Sequence, residues 1–336
     1  METTRAGRLV APGRMVCVEA PPEPLRDGDL LVATRYASIC GSDLHIVEHG
    51  VETDPSEWLP GYPGHEGVGQ VLESRALDFA PGDQVLLVPP VSVARCFAER
   101  QRIRAESAIR LDGPLPPLPE VLMAQQLGTV LFAAGQHPWD VAGRTVAVLG
   151  QGSAGLFWTW RLKRAGAARV IVADRSPTRL AASAAFGSDL AVDARTDDLT
   201  AAVMDLTGGE GADFVVEAVG RRETLRQSIG LCRTGGQLFW FGLPDTNDPV
   251  PIDFRLFFRR KLTAFSTFGA QGEPGLVSFR RALEHIRTGD VDVRPLLSHV
   301  LPVEEIGEAF RLASACEDGV LKVSIAFEEG AEQLRP

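Results

Sequence analysis

The feature of this 336-residue sequence that most constrains its fold is a glycine-rich turn, Gly150-Gln-Gly152-Ser-Ala-Gly155. An apolar strand, Thr145–Leu149, precedes the turn, and a helical pattern follows it. In this context the first glycine permits a tight turn, the second lets the backbone approach a pyrophosphate, and the third lets the helix pack closely on the strand. The amides at the helix N-terminus then face the phosphates. The spacing predicts a dinucleotide-binding site at Gly150, Gly152 and Gly155.

An acidic residue after the next strand indicates which dinucleotide binds. Asp174 follows the apolar run Arg169–Ala173, at a position where a carboxylate accepts hydrogen bonds from the hydroxyls of an adenosine ribose. The same negative charge repels a 2′-phosphate, so the sequence favours NAD. Arg175 and Arg179 leave NADP open, because a neighbouring arginine can accommodate the additional phosphate.

Apolar strands and helical patterns alternate through the middle of the chain. Strands are predicted at 145–149, 169–173, 189–193, 213–218, 237–242 and 262–268, and helices at 154–165, 176–185 and 222–232. This alternation is typical of a parallel sheet that is covered by helices on both faces. We therefore expect an α/β protein with a doubly wound parallel sheet.

The two ends of the chain have a different pattern. Residues 1–120 carry short apolar runs between Pro and Gly turns, which predicts a β-rich region. The prolines of Asp112–Glu120 indicate a linker or an extended crossing segment. After about residue 270, helical patterns lead to a closing strand. We expect residues 1–126 and 270–336 to form a β-rich domain, and residues 127–269 to form the dinucleotide-binding domain.

The composition argues against several classes of protein. The cysteines include no CxxC pair, which argues against a disulfide scaffold or a four-cysteine zinc knuckle. The net charge of −10 argues against nucleic-acid binding. The N-terminal sequence lacks the apolar core of a secretory signal, and no apolar run reaches membrane-spanning length. We expect a cytoplasmic protein that contacts neither nucleic acid nor membrane.

A second group of residues combines metal-binding and proton-carrying side chains. Its members are Cys40, Ser42, Asp43, His45, His65 and Glu66. A thiolate and an imidazole, here Cys40 and His65, are two of the three protein ligands that a catalytic zinc needs. Ser42 and His45, expected on one short loop, form a path for a proton between a metal-bound alcohol and solvent. The two acidic residues can orient the ligands.

Together these motifs are similar to those of the medium-chain dehydrogenase/reductase family, in particular its zinc-dependent alcohol and polyol dehydrogenases. The similar pieces are CGSDLH at 40–45, GHEGVG at 64–69, GDQV at 82–85 and the later GxGxxG turn. The resemblance runs from the first strand to Lys322. It implies a GroES-like catalytic domain, a Rossmann domain, an active site in the cleft between them, and a homodimer or homotetramer.

The resemblance also assigns roles to individual residues. Cys40 and His65 match the catalytic zinc ligands, and Glu66 matches an acid that is a direct ligand in some members. Ser42 and His45 match the proton relay. The matches to the cofactor site are Gly150, Gly152, Gly155 and Asp174, with Arg179 beside the adenosine ribose, Thr129 near the nicotinamide and Lys322 at the pyrophosphate.

Two departures from the family pattern concern metals. The third zinc ligand of the family, a cysteine or glutamate, corresponds here to Gln125, and a neutral amide is a weak zinc ligand. Three outcomes are open: Glu66 completes the site with Gln125 or water, zinc binds weakly, or the metal is gone and the relay acts alone. We favour a retained metal because the cysteine, the histidine and the relay all remain. The lobe that holds a structural zinc in many members is shortened and contains only Cys96, so no structural zinc is expected.

The resemblance implies a reversible oxidation of a secondary alcohol to a ketone, with one catalytic zinc polarising the substrate oxygen and a hydride passing to NAD. Polyols, sugars, cyclitols and amino alcohols are the expected substrates. One alternative is a zinc-independent reductase of an activated C=C or C=O bond in the same superfamily. Another is a non-catalytic NAD-binding protein.

Overall fold

The computed structural model describes residues 3–49, 58–245, 248–315 and 319–327. The chain divides into two compact units, here called unit 1 (Met1–Thr129 with Gln271–Pro336) and unit 2 (Val130–Ala270). Within the described ranges, no helix has both the length and the apolar character needed to cross a membrane.

The described residues form fifteen strands and nine α-helices. The strands are β1 (Thr4–Ala11), β2 (Arg14–Ala20), β3 (Asp29–Ser38), β4 (Gly67–Ser74), β5 (Gln84–Leu87), β6 (Arg100–Arg104), β7 (Ala108–Arg110), β8 (Thr145–Leu149), β9 (Arg169–Asp174), β10 (Leu190–Asp193), β11 (Ala212–Glu217), β12 (Cys232–Trp240), β13 (Thr263–Ser266), β14 (Leu297–Pro302) and β15 (Lys322–Ala326). The helices are α1 (Gly41–His49), α2 (Leu118–Gly135), α3 (Ser153–Arg164), α4 (Pro177–Ser183), α5 (Leu199–Leu206), α6 (Arg222–Leu231), α7 (Phe254–Arg259), α8 (Val277–Arg287) and α9 (Ile306–Ala315).

Unit 2 is built on a six-stranded parallel sheet in the order β10-β9-β8-β11-β12-β13. The direction of winding reverses between β8 and β11, which is the arrangement of a doubly wound fold that binds its ligand outside the carboxyl ends of the strands. The central strands are almost fully buried, because helices cover both faces of such a sheet. This sheet confirms the predicted α/β class.

Unit 1 contains a sheet in the order β14-β15-β3-β4-β5-β7, with β6 also paired to β3. All of its strand pairs are antiparallel except β14 with β15. One core cluster joins this sheet to α9, and it includes the fully buried Cys96 and Phe97. The β-rich pattern predicted for both ends of the chain thus assembles into one unit.

Four helices differ from the sequence-based prediction. Where a short loop was expected to carry Ser42 and His45, the chain forms α1. Where Asp112–Glu120 was expected to be a linker, α2 begins at Leu118. Prolines are tolerated there because the first turn of a helix leaves its N–H groups without helical partners. Helical patterns were expected between the strands of unit 2, but no bounds were predicted for α5 or α7. The N-terminus of α5 is capped by Asp198, which accepts from the amide of Thr200.

The glycine turn after β8 has the backbone geometry that its spacing predicts. Gly150 has a φ of 88°, and its amide donates to the carbonyl of Ala173 at 2.8 Å, which ties the turn to β9. At Gly155 a Cβ atom would lie 1.9 Å from the carbonyl oxygen of Gly150. Only glycine therefore lets α3 pack this closely on the end of β8.

We expect Gly155→Ala to lower the free energy of unfolding by about 1–3 kcal/mol, because the added methyl group forces α3 away from the turn. Gly230→Ala is the matched control, since Gly230 also lies in a helix of unit 2 but a Cβ there meets no atom within 4 Å. The control should be unchanged or stabilised by up to about 1 kcal/mol. Urea unfolding of the two variants measures the difference, and equal stability of both would contradict the steric argument.

Candidate active site

The pairing of three strands brings the metal-binding motifs of unit 1 together. β3 ends at Ser38, and its antiparallel neighbour β4 begins opposite that end, with Ala37 beside Gly67. β15 is also antiparallel to β3 and pairs Ser324 with Ser38, so its first residue, Lys322, lies at the same edge. Residues just after β3, just before β4 and at the start of β15 therefore meet.

Three side chains at this edge can hold a metal ion. Cys40 follows β3, and His65 and Glu66 precede β4. Their sulfur, imidazole nitrogen and carboxylate oxygen all lie within 4.8 Å of one another. His65 and Glu66 are buried, and Cys40 is partly buried. One thiolate, one imidazole and one carboxylate are a donor set that suits Zn²⁺.

Asp43 positions two of these ligands with one carboxylate. Its Oδ2 accepts from the backbone amide of Cys40 at 2.8 Å, as the third residue of a helix does in a capping box. Its Oδ1 lies 2.8 Å from His65 Nδ1. A carboxylate only accepts, so Nδ1 donates, and Nε2 is the nitrogen that can bind a metal in exchange for its proton.

Asp43 and His65 each change the pKa of the other. Burial alone lowers the pKa of His65, but the charge and hydrogen bond of Asp43 outweigh it, and the pKa lies well above its ordinary value. Burial also raises the pKa of the Asp43 carboxyl against the opposing effect of His65. A carboxylate held against a histidine ligand in this way makes the imidazole a stronger metal donor.

Glu66 lies between a hydroxyl and an ammonium group. Ser38 Oγ donates to Glu66 Oε2, and Lys322 Nζ lies 2.7 Å from the same oxygen. Burial raises the pKa of Glu66, but Lys322, together with the charge of His65 and the hydrogen bond of Ser38, outweighs burial, and the pKa falls below its ordinary value. Among the described residues, its other oxygen, Oε1, is buried without a hydrogen-bond partner. An orphaned carboxylate oxygen beside a thiol and an imidazole fits a metal site.

The predicted proton-relay residues lie on α1, and the expectation of a loop was wrong. Ser42 Oγ is 3.4 Å from His65 Nε2, which places its hydroxyl at the metal-binding nitrogen. His45 follows three residues later on the same helix, and its ring centroid lies 4.9 Å from that of His49. Residues three apart on a helix share a face, so Ser42 and His45 are neighbours.

Two glutamines on α2, Gln125 and Gln126, contact residues that can hold the metal. Gln125 Nε2 donates to the backbone carbonyl of His65 at 3.4 Å. Cys40 Sγ donates to Gln126 Oε1 at 3.7 Å. Both glutamine side chains are buried. The position predicted for the third ligand is therefore occupied by an amide that faces a backbone carbonyl, and the next residue faces the sulfur.

Comparison with known protein families identifies both parts of the chain. Residues 26–130 match the alcohol dehydrogenase GroES-like domain, and residues 155–286 match the zinc-binding dehydrogenase domain. The chain belongs to the zinc-type medium-chain dehydrogenase/reductase family. The two matches also confirm the predicted combination of a GroES-like and a Rossmann domain.

Curated relatives and solved structures of this family match the chain over most of its length. An alcohol dehydrogenase of Cupriavidus necator is 27% identical, with 96% of this chain and 98% of the relative covered. The L-threonine 3-dehydrogenase of Bacillus subtilis is 27% identical, with 90% and 93% covered. The structure of the alcohol dehydrogenase from Thermus sp. ATN1 is 26% identical and superposes with a TM-score of 0.79, covering 96% of this chain and 100% of that one.

The dinucleotide motif of this medium-chain dehydrogenase is held by Asp174. Its Oδ2 accepts from the amide of Gln151 in the glycine turn at 2.6 Å, and its Oδ1 accepts from the amides of Arg175 and Ser176. Gln151 is itself buried, and its side chain donates to Gly150 and accepts from Thr159. The carboxylate is thus fixed at the carboxyl end of β9, beside the turn.

Two further predicted cofactor residues lie at helix ends. The amide of Arg179 donates to Ser176 Oγ, which caps α4 just after Asp174. Thr129 Oγ1 donates to the backbone carbonyl of Gln125 at 3.2 Å on α2. The positions of Arg179 and Thr129 as cofactor contacts stay predictions.

The structure places Lys322 differently from the sequence-based prediction. It was expected to reach the pyrophosphate, but its ammonium is buried and forms an ion pair with Glu66. Ser38 and Gln126 were not predicted as parts of the site at all. Gln126 adjoins Gln125 in the sequence, and Ser38 lies two residues before the cysteine, so proximity in sequence was the only signal for either.

We expect Lys322→Met to lower the free energy of unfolding at pH 7 by about 3–5 kcal/mol, because it leaves the Glu66 charge buried and unpaired. Without Lys322 the pKa of Glu66 rises, because burial is then opposed only by the charge of His65 and the hydrogen bond of Ser38. The loss of unfolding free energy in Lys322→Met should therefore shrink as the pH falls from 7 and Glu66 takes up a proton. Urea unfolding of chelator-treated protein measures it.

Lys322→Arg is the control because it keeps the positive charge, and it should lose much less stability at pH 7. In the wild type the depressed pKa of Glu66 means that the ion pair contributes fully above about pH 4.5 and is lost as the pH falls through the folded-state pKa. A loss in Lys322→Met that does not vary with pH would show that Glu66 is not the group responsible.

Proposed function

We propose that this protein is an NAD-dependent oxidoreductase that interconverts a secondary alcohol and a ketone at one catalytic zinc. The observation that carries the proposal is the cluster of Cys40, His65 and Glu66, whose donor atoms lie within 4.8 Å of one another. The names of the relatives support the reaction class, since both are alcohol-oxidising dehydrogenases. Threonine carries a secondary hydroxyl, which supports that class of substrate.

The residues at the site divide the work of the reaction. Cys40 and His65 would hold the metal, and Asp43 fixes both of them. Zinc bound there would lower the pKa of an alcohol and polarise a carbonyl. Ser42, whose hydroxyl lies at His65 Nε2, accepts the proton of the substrate hydroxyl and passes it toward His45. The buried surroundings strengthen each of these electrostatic interactions.

A dinucleotide bound to unit 2 would supply the hydride acceptor for the alcohol carbon. Gly150, Gly152 and the N-terminus of α3 would hold its pyrophosphate. Asp174 would accept from the adenosine ribose, and its negative charge supports NAD over NADP. The substrate we propose is a polyol, sugar, cyclitol or amino alcohol.

A second copy of this chain is the proposed macromolecular partner. β13 is an edge strand of the parallel sheet of unit 2 among the described strands. Phe254 and Phe258 on α7, which precedes β13 in the chain, and Phe268, which follows it, are 65%, 73% and 89% exposed. Exposed aromatic rings beside a strand edge favour burial against the same edge of a second copy across a twofold axis. Such pairing supports a homodimer, or a tetramer built from dimers.

Metal analysis of gently purified protein tests the proposal. We expect about one zinc per chain, and loss of zinc in Cys40→Ala and His65→Ala. Both variants should also lose at least about a hundredfold in kcat/KM for NAD-dependent oxidation of the best substrate in a panel of polyols, sugars and amino alcohols. Cys96→Ala is the matched control, because Cys96 is buried in the core outside the metal-binding group.

A zinc-free protein whose activity survives both substitutions would instead support the zinc-independent reductase. The neutral amide of Gln125, where the family has a thiolate or carboxylate, favours this second candidate. A zinc-free protein with no activity on any substrate, but with NAD binding, would support a non-catalytic role.

We expect Asp174→Asn to raise the ratio of kcat/KM with NADP to that with NAD by about tenfold or more, which is 1.4 kcal/mol of discrimination. Asparagine removes the charge that repels a 2′-phosphate while it keeps one oxygen for the backbone amides of the turn. Steady-state kinetics with both cofactors measures the ratio. Asp205→Asn, an exposed change on α5, should leave it unchanged. An unchanged ratio in Asp174→Asn would mean that another residue selects the cofactor.

A further inference from the structure

Two buried polar side chains, Gln151 and Thr159, connect the glycine turn to the helix that follows it. Gln151 lies in the turn and Thr159 lies on α3, and both are 0% exposed. Gln151 Nε2 donates to the carbonyl oxygen of Gly150 at 2.8 Å. The hydroxyl of Thr159 is shared between Gln151 Oε1 at 3.0 Å and the carbonyl of Gly155 at 2.9 Å. One buried amide therefore joins the backbone of the turn to α3.

The orientation of the Gln151 amide follows from its two partners. A carbonyl only accepts, so the nitrogen end of the amide must face Gly150, and the oxygen end is left for the hydroxyl of Thr159. Burial excludes water as a replacement partner, so each of these hydrogen bonds is costly to lose. Thr159 thus fixes the side chain of Gln151, and that side chain fixes the carbonyl of Gly150.

The peptide group between Gly150 and Gln151 is held at both ends. Its carbonyl accepts from the side chain of Gln151, and its N–H donates to Asp174 Oδ2 at 2.6 Å. A peptide group is planar, so a fixed direction of the C=O also fixes the direction of the N–H. The other carboxylate oxygen of Asp174 accepts from the amides of Arg175 and Ser176. The hydrogen bond to the carbonyl therefore contributes to the orientation of the carboxylate.

We propose that Gln151 and Thr159 are positioning residues for cofactor selection, because they hold the peptide group that orients the carboxylate of Asp174. The inference rests on the proposed function, in which Asp174 accepts from the adenosine ribose and disfavours a 2′-phosphate. Both side chains are fully buried, so they act through Asp174 and not by contact with the dinucleotide.

Equilibrium binding of NADH and NADPH separates this role from a purely structural one. Gln151→Leu removes the amide at similar volume. We expect it to raise the Kd for NADH by about tenfold, which is the scale of one hydrogen bond to a charged group. The Kd for NADPH should change less, because Asp174 contributes less to its binding. The ratio of the Kd for NADPH to that for NADH should therefore fall, and isothermal titration calorimetry measures both constants.

Substitutions of Thr159 repeat the test without changing the turn itself. Thr159→Val removes the hydroxyl that anchors the Gln151 amide, and it should lower the same ratio by about threefold. Thr159→Ser keeps the hydroxyl and should restore the wild-type ratio. If Gln151→Leu does not fold, these two variants decide the outcome.

Gln101→Leu is the matched control. Gln101 is another buried glutamine that bonds to a threonine, since its Nε2 donates to Thr34 Oγ1 at 2.8 Å in unit 1. This variant should lower Tm and leave both Kd values unchanged. If Gln151→Leu and Thr159→Val instead raise both Kd values by the same factor, the pair supports only the turn and the inference is wrong.

The same measurements in an Asp174→Asn background show whether the effect passes through Asp174. Residues that act through one another are not additive. Gln151→Leu should therefore leave the ratio of the two Kd values in Asp174→Asn unchanged. An equal fall of the ratio in both backgrounds would contradict the inference.

The outcomes distinguish this inference from the proposed function, because binding of the dinucleotide requires neither zinc nor an alcohol. If Asp174→Asn changes the ratio of the two Kd values but the variants of Gln151 and Thr159 do not, the inference fails and the proposed function stands. If Asp174→Asn leaves the ratio unchanged, Asp174 does not select the cofactor. The proposed preference for NAD then loses its basis, and the inference fails with it.

Discussion

The candidate site depends on the carboxylate of Asp43. One of its oxygens holds the backbone amide of Cys40 at the start of α1, and the other holds the imidazole of His65 just before β4. Cys40 follows β3 and His65 precedes β4, so neither segment alone determines the distance between the two ligands. The buried carboxylate of Asp43 fixes that distance because it bonds to both. Burial makes each bond costly to break, because an unpaired partner would be left without water.

The same edge of the sheet holds a second charged pair whose net charge is zero. Glu66 and Lys322 are both buried, and each keeps the other ionised, since Glu66 raises the pKa of Lys322 against the opposing effect of burial. Such a pair stabilises a fold little compared with apolar packing, but it is costly to split. In this site the ion pair holds a carboxylate oxygen of Glu66 in a defined position beside Cys40 and His65. The pair therefore serves the site more than the stability of unit 1.

Much of this arrangement could be predicted from the sequence, because its chemistry lies in short motifs beside strands. Cys40, His65 and the glycines of the turn are of this kind. Lys322 could not be placed, since its contact with Glu66 depends on the register of β15 on β3, and a shift of one residue would turn the side chain to the other face. The α1 helix was also missed, because the residues that cap it were interpreted only as ligand and orienting acid.

The two glutamines show why the direction of a helical side chain is hard to predict. Successive residues on a helix point about 100° apart, so the residue that faces Cys40 depends on how α2 enters the unit. The prolines near the start of α2 predicted a linker there, so the position of the helix in unit 1 was not predicted. In the structure Gln125, at the position predicted for a ligand, donates to the carbonyl of His65, whereas Gln126 accepts from the sulfur of Cys40. The sequence could place a neutral amide beside the metal-binding group, but only the orientation of α2 determines which of the two neighbours faces the sulfur.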